Sequence, residues 1–164
     1  MRKVNPEYAK AIMALPTEPR ILNCGHEDMW AWLWLLPCET QINDSLNNPF
    51  ASVHGGVFSS ILDTATFWAL YCCIGEEDVI TTLDLQVNNL AAAASGKIIA
   101  EGRLIRMGRT IGLAEGTLKD ENGRLLVQGT SKMFVLPGLQ SIDKVADRVG
   151  FETLPPKFLW SRTA

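Results

Sequence analysis

The sequence predicts an α+β domain in which an antiparallel sheet curls around one long central helix. Three observations carry that prediction. The run from Gly56 to Ile74 is too long for one strand, holds no proline and is apolar over most of its circumference, as expected of a helix wrapped by other structure. Four strand-like stretches joined by turn residues follow it before Pro137. A further strand-like stretch precedes it, giving the order strand, helix, then a meander of four strands. The simplest packing of that order is a sheet folded over the helix.

Taken along the chain, residues 5–15 (NPEYAKAIMAL) read as a short helix stopped by Pro16. The stretch MWAWLWLLPCETQI sets Trp30, Trp32 and Trp34 at period two, which suits a strand with one aromatic face. Residues 43–52 are rich in turn formers. After the helix, strands are expected over Val79–Leu90, Lys97–Arg106, Thr110–Lys119 and Arg124–Leu136. Met107-Gly108-Arg109 turns the second into the third, and Asp120-Glu121-Asn122-Gly123 forms the last hairpin turn. The tail suggests a helix near Ser141–Arg148, then an extended Pro155-Pro156 segment. In domain terms, 1–46 contributes a helix and the aromatic strand to the same domain, 47–136 is its core, and 137–164 is a tail.

The chain's 164 residues suffice for one domain with a real core. Apolar residues at 47% and charged residues at 20% place it among globular chains rather than disordered ones. A net charge of -3 and a pI near 5.4 argue against nucleic acid or an anionic membrane surface as partner. Val57–Ile74 is interrupted by Ser59, Ser60, Asp63, Thr64 and Thr66, and Met29–Pro37 is too short to span a bilayer, so no membrane segment is expected. No secretory h-region opens the chain, and Cys24, Cys38, Cys72 and Cys73 show no C-x-x-C spacing. Free buried thiols and a cytoplasmic location are the expectation. His26 and His54 are the only histidines, and no second ligand cluster accompanies them, so no metal site is expected.

Asp63 is the one charged residue between Gly55 and Gly75. An ionised carboxylate in apolar surroundings is costly unless it is paired or used. Such groups mark sites of proton transfer or nucleophilic attack, with a structural acid bonded to backbone or paired across an interface as the alternative.

The pattern resembles the hotdog-fold thioesterases, specifically acyl-CoA thioesterases of the phenylacetic-acid-degradation type. The resemblance rests on N-P-F-A-S-V-H-G-G from Asn48, Leu62-Asp63 down the helix, T-T-L-D-L-Q-V-N-N-L at 81–90, R-x-x-R-M-G-R at 103–109 and D-E-N-G-R-L-L-V-Q-G-T at 120–130. It implies hydrolysis of a thioester to a free acid and coenzyme A, with no cofactor beyond the coenzyme A of the substrate. Asp63 would be the general base or the nucleophile, and Gly55 would supply a backbone N–H that polarises the carbonyl. Asn48 would help position the carbonyl or water, His54 would orient the loop before the helix, and Thr82 (or Thr81, in the other register) would orient the water. Gly108 and Arg109 fall where relatives contact coenzyme A. Gly56, Phe58 and Phe67 are candidates for the acyl and thioester site, with core packing the alternative for the two phenylalanines. Arg103 and Arg106 are further candidates for phosphates.

Spacing adds a demand of its own. Gly55 and Asp63 stand eight residues apart on one helix, roughly 12 Å along its axis at about 1.5 Å per residue. A donor and a base serving one carbon each lie within about 3 Å of reacting atoms. Two copies with helices running in opposite directions satisfy both, so a dimer, or a dimer of dimers, is expected. The substrate would be an acyl-CoA or an acyl-carrier thioester. A non-catalytic acyl-CoA-binding module of the same fold, or an acyl-thioester dehydratase, is the alternative reading.

Overall fold

The computed structural model describes residues 3–5, 7–8, 23–24, 35–138 and 155–159. In chain order these form β1 (Lys3–Val4), β2 (Asn23–Cys24), β3 (Leu35–Gln41), a 3-10 turn at Asp44–Leu46, α1 (Gly55–Tyr71), β4 (Val79–Asn89), β5 (Lys97–Met107), β6 (Ile111–Asp120), β7 (Leu125–Leu136) and β8 (Phe158–Leu159). The main sheet runs β2-β3-β5-β6-β7-β4, every pair antiparallel. The helix lies across the concave face and meets all five long strands, β5 most closely. This is the hotdog architecture, and the four strands after the helix fall within a residue or two of the expected ranges. The helix is shorter at its end, stopping at Tyr71 rather than Ile74. Trp30, Trp32 and Trp34, most of the N-terminal helix and the tail helix lie outside the described residues.

Three facts explain how a helix with this composition can be enclosed. Its hydroxyl side chains are satisfied internally: Ser59, Ser60, Thr64 and Thr66 donate to the carbonyls of Gly55, Gly56, Ser60 and Leu62. Ile61, Leu62, Ala65 and Leu70 are fully buried against the sheet. Beneath them, Gly102, Gly116 and Gly129 are register partners on three neighbouring strands and form one row across the sheet. A Cβ at Gly102 would collide with the Ala65 carbonyl oxygen, and one at Gly116 would lie 2.8 Å from Leu62 Cδ1. The row is the floor on which the helix rests.

At the far end of the helix the two chain termini meet. β1 pairs with β8, and the Asn5 N–H donates to the Lys157 carbonyl at 2.7 Å. Lys157 is 2% exposed, with its ammonium 3.8 Å from the centroid of the Tyr71 ring and 3.4 Å from the Gly75 carbonyl. Burial pulls its pKa down to about 8, against the upward pull of Cys72, Cys73, Asp78 and Glu76. Burial likewise pushes the Cys72 thiol up to about 12, and Cys73 in the same direction. Cys72 and Cys73 are free thiols, as expected. Cys38 is not: it is disulfide-bonded, and Cys24 is its register partner between β2 and β3. That corrects the expectation of four free cysteines, which had no access to strand pairing.

Candidate active site

The site is built at the flank of α1. Asp63, half-buried, accepts a hydrogen bond from Thr82 Oγ1 at 2.9 Å through its Oδ1. Thr82 reaches it because of a bulge. The β4–β7 register slips between Thr82 and Asp84, leaving Leu83 as the extra residue, 57% exposed. On the helix side of the slip Thr82 opposes the fully buried Met133; Thr81, opposite Phe134, is exposed on the other face. Bulges commonly re-aim side chains beside functional sites, and this one selects Thr82 over Thr81.

The start of the helix is set by His54. Its ring Nδ1 accepts from the Gly56 N–H at 2.9 Å, a side-chain cap. As an acceptor, Nδ1 carries no proton, so the neutral ring bears its proton on Nε2. The His54 carbonyl accepts from Val57 and Phe58. Of the first-turn amides, Gly56, Val57 and Phe58 are therefore committed, and the Gly55 N–H meets no acceptor among the described residues. It sits at the positive end of the helix dipole. A Cβ at Gly55 would lie 3.3 Å from Asn89 Nδ2, which brings the end of β4 beside the helix start.

Asn48 organises the loop ahead of the helix. Its Oδ1 accepts from Phe50 N at 2.8 Å, and its Nδ2 donates to Ser52 Oγ at 3.1 Å. The loop holds Ala51 at a φ of 55° and leaves Phe50 89% exposed next to the helix start. Phe58 is 3% exposed and packs in the core with Val53 and Ile61. Phe67 is half-buried, stacked on Tyr71 and edge-on to Trp68. Gly108 and Arg109 lie in the exposed β5–β6 turn, with Gly108 N–H donating to the Ile111 carbonyl. Arg103 is tied to Glu115 on the outer face, whereas Arg106 is exposed there. Among the described residues no group of three His, Cys, Asp or Glu side chains is arranged to hold a metal ion, and no helix is long and apolar enough to cross a membrane.

The structure thus brings Asp63 together with Thr82, and His54 with Gly55 and Gly56. It keeps these two groups apart, one at the start of the helix and the other near its middle. Sequence reasoning missed two contributors, the bulge at Leu83 and the approach of Asn89 to Gly55. Both depend on strand register, which no local pattern announces.

The stretch carrying the loop, the helix and most of the meander, residues 50–127, matches the family described as the thioesterase superfamily. A candidate esterase of Haemophilus influenzae is 31% identical to this chain over 77 residues, which is 47% of this chain and 56% of that protein. The chain therefore spans little more than half of that relative's length. Mouse acyl-coenzyme A thioesterase 13 is 24% identical over 96 residues, 57% of this chain and 68% of that one. A phenylacetic acid degradation-related protein from Ralstonia eutropha has the same fold, with a TM-score of 0.66 at 22% identity over 78% of this chain and 98% of that one.

Proposed function

We propose that this protein is an acyl-CoA thioesterase whose sites are shared between two copies of the chain. The observation that carries the reading is a division of labour along α1. One end presents the uncommitted Gly55 N–H, and the flank presents Asp63 held by Thr82. Thioester hydrolysis requires a donor where the oxyanion forms and a carboxylate that activates water or attacks the carbonyl. The two lie roughly 12 Å apart on one helix, too far to serve one carbon within a single copy.

The edge strand supports a way to join them. Among the described residues β4 is at the end of the sheet and pairs with β7 alone. It runs from Thr82, beside Asp63, to Asn89, beside Gly55. If two β4 strands pair antiparallel about a dyad at Gln86, with Leu83 as the extra residue of the bulge, Thr82 of each copy falls opposite Asn89 of the other. The Gly55 end of one helix then faces the Asp63 flank of its mate. Such pairing also covers the exposed Leu83 and the open backbone edge.

In this site the acyl carbonyl oxygen takes the Gly55 N–H, with His54 fixing the helix start. Asp63 of the other copy removes a proton from water or attacks directly, its orientation set by Thr82. The coenzyme A class of substrate is supported by the name of the mouse relative, and the exposed Arg106 and Arg109 suit its phosphates.

The test is thiol release from a panel of aromatic, short-chain and medium-chain acyl-CoAs and acyl-carrier thioesters. Asp63→Asn is expected to lower kcat roughly 10²- to 10⁴-fold with the fold intact. Parent-like turnover by that variant would remove the assignment, and light scattering that finds an active monomer would remove the shared site.

A further inference from the structure

Ser131 is 0% exposed, and its Oγ has no hydrogen-bond partner. A buried hydroxyl left unpaired costs about 1–3 kcal/mol, so such a group calls for an explanation. The hydroxyls of Thr66 and Thr82 are committed. Thr66 Oγ1 donates to the carbonyls of Leu62 and Asp63, and Thr82 Oγ1 to the Asp63 carboxylate.

Register locates Ser131. It lies on β7 between Gly129, which abuts Leu62 of the helix, and Met133, the partner of Thr82. Its own partners are Leu85 on β4 and Ala114 on β6. It is thus the diagonal neighbour of Thr82 on the face that the helix covers; diagonal neighbours across a ladder stand roughly 7–8 Å apart at the backbone and closer at their side chains, which brings their polar atoms toward the roughly 5.5 Å that one bridging water spans. The Thr82 hydroxyl occupies Asp63 Oδ1, and no described side chain donates to Oδ2.

We propose that Ser131 is a positioning residue for Asp63, its hydroxyl holding a single buried water against the carboxylate edge that Thr82 leaves open. The orphaned hydroxyl gains its partner, and the carboxylate is fixed from two sides rather than one. A carboxylate held at both oxygens presents one defined lone pair to its target, the precondition for efficient proton removal. Its catalytic consequence rests on the thioesterase reading, but the contact itself does not.

Two readouts separate them. The first is the 13C chemical shift of the Asp63 side-chain carboxyl at neutral pH, which needs no substrate. It is expected to move in Ser131→Ala and to return in Ser131→Thr, which keeps the hydroxyl, with the isosteric but weakly donating Ser131→Cys between them. The second is thioester turnover: Ser131→Ala is expected to lose roughly tenfold in kcat at unchanged KM, with Ser131→Thr largely restored. A parent-like carboxyl shift in Ser131→Ala would overturn the proposal whatever the activity. So would Ser131→Thr failing to differ from Ser131→Ala, because the effect would then follow volume and not the hydroxyl. If the carboxyl shift behaves as expected while Asp63→Asn hydrolyses thioesters normally, the contact stands and the thioesterase reading fails.

Discussion

Thr82 donates one hydrogen bond, and that bond decides which way the Asp63 carboxylate faces. Thr82→Val removes the donor at nearly constant volume. We expect kcat to fall roughly tenfold with KM little changed, and Thr82→Ser to retain most of the rate, as read by steady-state kinetics. Asp63 itself was legible in the sequence as a single acid in an apolar run, and HGG marked the start of the helix. The choice between Thr81 and Thr82 was not legible. Both hydroxyls suit the motif, and only the slip at Leu83 turns one of them inward. The capping role of His54 was likewise legible only as an orienting one. The contact of its Nδ1 with Gly56 shows that the Gly56 N–H is spent on the cap, whereas the Gly55 N–H meets no acceptor among the described residues.

At the scale of elements, strand and helix ranges followed from periodicity and turn residues because those signals are local. The glycine row did not. Gly102, Gly116 and Gly129 are scattered singly through three strands, and their alignment exists only in the register. Their effect is to let the helix backbone approach the sheet. The row therefore predicts graded costs for added methyl groups. In Gly102→Ala the new Cβ meets the backbone of Ala65, which cannot rotate away. In Gly116→Ala the nearest atom is the end of the Leu62 side chain at 2.8 Å, which can shift. Thermal melts are expected to show a loss of about 3 kcal/mol for Gly102→Ala and a clearly smaller loss for Gly116→Ala. Equal melting points for the two would mean that the helix does not seat on this row.

At the scale of the whole molecule, the β1–β8 pair and Lys157 fasten both ends of the chain to the far end of the helix. Lys157 falls from its ordinary 10.5 to about 8 on folding, so between these values the unfolded chain holds more protons and stability rises with pH. Cys72 moves oppositely, from 9.0 to about 12, so above pH 9 the unfolded chain loses protons first and stability falls. Between pH 8 and pH 9 the lysine acts largely alone. Melting temperature should climb across that interval, flatten from pH 9 toward 10.5 where the two groups oppose each other, and decline above that. Lys157→Met should abolish the climb, and Cys72→Ala should weaken the decline. A parent curve that falls steadily from pH 8 upward would contradict this account. Nothing in the tail's composition pointed to that fastening, because it depends on a pairing between residues more than 150 positions apart.

The placement of Gly55 and Asp63 at separated points of one helix has a genetic consequence. Gly55→Pro removes the amide hydrogen while keeping the helix start: proline is favoured at the first helical position, His54, at ψ 136°, already has the conformation that a following proline requires, and the added Cβ meets only the end of the Asn89 side chain, at 3.3 Å. Asp63→Asn deletes only the acid. Each variant is expected to be inactive by itself, yet under the proposed shared site the two defects fall in different halves. Random exchange of subunits between them would pair one faultless half with another in every hybrid, leaving its second site doubly defective. The mixture should then recover about a quarter of normal turnover by intersubunit complementation, and a mixture that stays dead would confine each site to a single chain.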